Sequence, residues 1–215
     1  MLIDWPKFIV ALILLLSPTS LLHGKKVCFR PISGEWERHW MQIFTLGSHT
    51  IDLARAAAGA WFLAASLQTA PGARGLLRYG VIVTEASVFA VAVALQTLIC
   101  KEKGEANAPF AFLIGLTAGF IPPVIAGFAL AVAVVAAAGS GVPAAFFPVL
   151  GLAISGMGFL FTGKKYLFDL ATVSCCALLP WLLSLLFSRE LMIAYRERRA
   201  DESRSSGSTS RSPFR

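Results

Sequence analysis

Five apolar runs dominate the chain, and their length of about 20 residues matches the ~30 Å hydrocarbon core of a bilayer. They fall at 46–68, 79–99, 110–137, 146–162 and 166–187. A segment surrounded by lipid must satisfy its own backbone hydrogen bonds, which a helix does. The sequence therefore predicts an all-α integral membrane protein: a bundle of about five transmembrane helices plus a short N-terminal membrane-associated helix. Composition agrees. Only 14% of the 215 residues are charged, against about 25% in soluble domains, so polar surface is too scarce for life in water.

Shorter segments frame that domain. Residues 1–22 hold an apolar stretch, Phe8 to Leu16, that Pro18 interrupts. Extended to Leu22 it would reach about 22 Å as a helix, short of a full crossing. It reads as a re-entrant, short-span or signal-like helix, with Lys7 before it and small residues Ser17 to Ser20 after it. Residues 23–45 are polar and carry Trp36 and Trp40, rings that favour the headgroup layer. Residues 188–202, "SRELMIAYRERRADE", predict a juxtamembrane basic helix, and 203–215 have the Ser/Arg-rich composition of a disordered tail.

The net charge of +7 is distributed at the edges of the apolar runs and in the tail. That placement suits lipid headgroups and topology signals. No aromatic–basic interleaving suggests base stacking, so the lipid bilayer is the expected partner and nucleic acid is not. Five crossings would put the tail, the 139–145 loop and the 69–78 loop on one side. Segments 23–45, 100–109 and 163–165 would share the other. Nine basic residues then face eight, a near balance, and the dense tail block assigns the C-terminus to the cytoplasmic side of a plasma (inner) membrane. Cys28 and Cys100 would both face the oxidising side, where a disulfide could form. Cys175 and Cys176 sit in an apolar run as small hydrophobes. No Cys/His spacing suits a metal and no motif suits a cofactor, so neither is expected.

Ionisable residues inside the runs are costly, which makes each a candidate. His49, Asp52 and Arg55 lie at i, i+3 and i+6, on one broad face of the first run. Asp52 and Arg55 can pair. Five crossings place Asp169 at the same bilayer surface, giving a candidate interfacial ion-pair cluster of His49, Asp52, Arg55 and Asp169. Glu85 is deeper, about 9 Å into its run. There it can act as interhelical glue or as a proton-coupling acid. Pro122 and Pro123 interrupt the longest run in the same half of the bilayer, and broken helices build midplane sites in transporters. Glu85, Pro122 and Pro123 form a second candidate, an intramembrane polar site.

Catalytic signatures are missing. "AISGMGF" at 153–159 resembles the Gly-x-Ser-Gly motif of intramembrane serine proteases, but Ala153 replaces the leading glycine and no histidine follows position 49. There is no HExxH, P-loop or GxGxxG, and no enzyme is expected. The size and compact loops are similar in layout to the Yip family of five-span trafficking proteins, a likeness that carries no residues. The first expectation is a scaffold, assembly or lipid-organising protein working through protein partners or a homo-oligomer. The alternative is a small proton-linked secondary transporter using Glu85 and the Pro122–Pro123 break.

Overall fold

Local sequence sets where each helix starts and stops. In the computed structural model, which describes residues 2–18, 27–31, 47–68, 76–99, 105–162 and 166–196, the first helix is α1 (Trp5–Leu16). Asp4 caps it by accepting from the Lys7 backbone N–H at 3.4 Å, and Pro6 takes the first turn, where its missing N–H costs nothing. The Lys7 ammonium also lies 2.7 Å from Asp4, and this side-chain hydrogen bond holds the exposed carboxyl below the usual carboxylate range. Ser17 precedes Pro18 and is extended, which ends the helix.

Two helices follow, α2 (Gly47–Ser66) and α3 (Leu76–Leu98). The run expected as one span at 110–137 is two helices, α4 (Phe110–Phe120) and α5 (Pro123–Ser140). The remaining two are α6 (Phe146–Thr162) and α7 (Leu167–Phe187). Four stretches are long and apolar enough to cross a membrane: Arg78–Leu98, Pro123–Ser140, Pro143–Thr162 and Leu167–Phe187. α2 is not among them.

The break at α4–α5 follows from two prolines in succession. A residue before proline is pushed out of the helical region. Ile121 (φ −101°, ψ 158°) and Pro122 (φ −52°, ψ 134°) both precede a proline and both are extended. Pro123 then starts a new helix in the position that tolerates it best. Pro180, by contrast, sits alone inside α7, and the helix continues through it.

Contacts fix the direction of each helix. α1 and α2 are antiparallel: Leu2–Ile3 (β1) pairs with Leu67–Gln68 (β3) at one end, and Arg55 donates to the Ser17 carbonyl at the other. Gln96, near the end of α3, donates to the same Ser17 carbonyl at 2.7 Å. Phe110 at the start of α4 stacks on Phe147 at the start of α6, centroids 4.8 Å apart. α6 and α7 are antiparallel, joined by Ser155 donating to Ser174 at 2.8 Å and Ser174 donating to the Gly151 carbonyl at 2.7 Å. Tyr79 meets Phe168, so α3 and α7 start at the same end. Phe128, early in α5, stacks on Phe161, late in α6. It follows that α4 starts and α5 finishes at one end of the bundle. The chain reverses at Pro122.

Chemistry at that end confirms the layout. Val27–Pro31 (β2), Glu105–Asn107 (β4) and Glu190–Arg196 (β5) form a sheet in the order β2-β5-β4, with β5 antiparallel to β2 and parallel to β4. The basic surface helix expected from residue 188 is therefore a strand over Glu190–Arg196. Ser188 takes a left-handed turn (φ 49°) that ends α7, and β5 finds partners along both edges. Leu191 and Met192 are buried there. This sheet also overturns the expected sidedness. Segments from 23–45, from 100–109 and after residue 187 meet at one end, because 110–137 reverses instead of crossing once. Cys28 lies on β2 beside Tyr195 of β5. Cys100, the 203–215 tail and the tryptophans at 36 and 40 fall outside the described residues.

Candidate functional site

At the end opposite the sheet, four elements leave a cavity of about 610 Å³. Its walls come from the end of α2 with β3 (Ala64, Leu67), the first turns of α3, the α4–α5 break and the start of α7. Arg78, Val81, Ile82 and Glu85 enter it from one face of α3, since residues three, four and seven apart share a face. Tyr166 and Asp169, three apart, enter from the α7 side. Phe120, Ile121 and Pro122 close the apolar wall. The wall is held in place from behind: Phe120 packs edge-on against Phe89 of α3, centroids 4.8 Å apart.

The charges differ in exposure. Glu85 is only 7% exposed, Asp169 is partly exposed and Arg78 is exposed at the rim. Asp169 lies within electrostatic reach of both Glu85 and Arg78. Among the described residues, Glu85 has no hydrogen-bond or salt-bridge partner. The structure thus brings Glu85 and Pro122 together. Pro123 starts α5 and does not line the cavity.

The other candidate cluster is split. Asp52 and Arg55 form a buried ion pair on the second and third turns of α2, as their i,i+3 spacing predicts. Arg55 also lies 5.8 Å from the centre of the Phe112 ring of α4. His49 sits partly buried one turn before Asp52. Asp169 does not join them. It lies in the cavity at the opposite end, because the reversal at Pro122 inverts every later helix. Rather than reaching out to water, Arg55 binds Asp52 and the end of α1.

Sequence reasoning missed Tyr166 and the pairing of Asp169 with Glu85. Both depend on which end α7 starts from, and no local signal carries that. It also missed Gln96, which is almost fully buried and joins α3 to the end of α1. Among the described residues no group of three or more His, Cys, Asp or Glu side chains is placed to hold a metal ion. Ser155 spends its hydroxyl on Ser174, as interhelical glue.

Comparison with protein-family models, with curated proteins and with solved structures returned no match.

Proposed function

We propose that this is an integral membrane protein working as a small proton-linked secondary transporter, with the cavity around Glu85 as its solute site. One observation favours this over the scaffold reading: a buried acid and a broken helix line the same cavity. Either alone is common in a helical bundle. Together they supply a group that can exchange a proton and a backbone able to reshape around it.

The reversal also favours one orientation. Assigning each Lys and Arg to the end at which its segment joins the helices gives 13 at the sheet end and five at the cavity end, with Arg55, the nineteenth, inside α2. By the positive-inside rule this supports an orientation with the sheet and the C-terminus in the cytoplasm and the cavity mouth on the far side. Cys28 would accordingly meet a reducing compartment, which removes the ground for its disulfide with Cys100.

Alternating access is testable without knowing the solute. Ala64 lines the cavity, so Ala64→Cys is introduced after the four native cysteines are replaced. The protein is reconstituted in proteoliposomes and treated with a membrane-impermeant thiol reagent from outside or from inside. A carrier is labelled from both faces. Labelling from one face only overturns the transport reading and leaves a static pocket.

A further inference from the structure

The balance of charge in the cavity points to a class of ligand. Two carboxyls, Glu85 and Asp169, face one guanidinium, Arg78. Arg78 sits at the rim and lies within electrostatic reach of Asp169, so among the described residues Glu85 is the acid left without a counter-charge. Among the described residues, no ionisable side chain enters from α2, β3 or the α4–α5 break, whose contributions are Ala64, Leu67, Phe120, Ile121 and Pro122. The phenol of Tyr166 completes the titratable groups among the described residues that line the space. An anion would meet two carboxyls. A monovalent cation with an apolar or aromatic body would meet Glu85 at its charge and Phe120, Ile121 and Leu170 around its body. A cavity of about 610 Å³ is wide enough for a drug-sized molecule.

We infer that the cavity binds a monovalent organic cation, such as a hydrophobic amine or quaternary ammonium, with Glu85 as its counter-ion. This rests on reading the cavity as a solute site, but not on transport. When Glu85 is protonated, binding of the cation releases that proton to solvent, so cation and proton compete for one carboxylate. Asp169 and Arg78 set the field at the mouth, and Tyr166 can donate a hydrogen bond. Lys164 and Lys165 precede Tyr166 outside the described residues, and the choice of probe takes their charge into account.

Two probes of nearly equal size and opposite charge isolate the electrostatic part: tetraphenylphosphonium and tetraphenylborate. Each is titrated calorimetrically against the full chain in phosphatidylcholine nanodiscs, with empty discs as the blank. At about pH 8 the phosphonium should bind at least about tenfold more tightly than the borate. Its affinity should fall once the pH is low enough to protonate Glu85, because protonation removes the carboxylate charge. Glu85→Gln should abolish the preference while Glu85→Asp retains it. Thermal unfolding of each variant checks that the fold survives, and the wild-type probe pair and pH series need no variant. Equal binding of the two probes, a preference for the borate, no phosphonium binding at about pH 8, or an unchanged preference in a folded Glu85→Gln would each overturn the inference. Alternating access can fail while cation binding stands, and the reverse, so the two readings are separable.

Discussion

Arg55 has too many partners for a side chain reaching out to water. It pairs with Asp52, donates to the Ser17 carbonyl and packs over Phe112. Removing it takes the counter-charge from a carboxylate that is 3% exposed. Arg55→Met should therefore cost about 3 kcal/mol of stability, whereas Asp52→Leu with Arg55→Met should cost less than that single change. Reversible unfolding in mixed micelles with increasing detergent denaturant would measure both, and a double variant worse than the single one would contradict this account. The pair itself was legible, because i,i+3 spacing on a helix needs no tertiary knowledge. The binding of Gln96 to the same Ser17 carbonyl was not, since the two residues are 79 positions apart. Glu85 stood out for the same kind of reason as the pair: its depth along one helix can be counted from sequence. Its neighbours could not be.

Helices α2 and α4 meet through glycine. Gly115 faces the Leu53 carbonyl and Gly119 faces the Ala57 backbone, so the helices run parallel with their backbones almost touching. A Cβ at either position would collide with backbone, which cannot swing aside. Gly119→Ala should cost about 2 kcal/mol by overpacking. Gly127→Ala on α5 meets open space and should be neutral or slightly stabilising, by up to about 1 kcal/mol. Melting temperatures of the two variants decide the matter; equal values would mean that the close approach contributes little. The four-residue spacing of Gly115 and Gly119 announced close packing, but not the partner. The two prolines likewise announced an interruption. Whether the chain bends or turns back there depends on where α4 and α5 find their neighbours, on α2 and α6, and local dihedrals do not encode that.

For the whole molecule, one unseen reversal changed the sidedness of everything after it. Helix ranges were legible to within a few residues at 79–99, 146–162 and 166–187, because apolar periodicity is a local property. Sidedness is a running count, so a single error at Pro122 displaced Asp169 and β5 together, relative to every earlier segment, Cys28 included. A reporter fused after residue 215 and a second one inserted after Gly34 should therefore read the same compartment. Opposite compartments would restore five crossings and dismantle the sheet. That sheet also imposes an order on synthesis. Its central strand, β5, is made after every other described element, so β2 and β4 have no strand to pair with until Glu190–Arg196 appears. At the usual pace of elongation the wait after β2 lasts on the order of ten seconds or more. During it the first and middle parts of the chain carry two open strand edges, each able to capture a neighbouring nascent chain. A chain cut short between Phe187 and Glu190 would carry every described helix and a sheet end that cannot close.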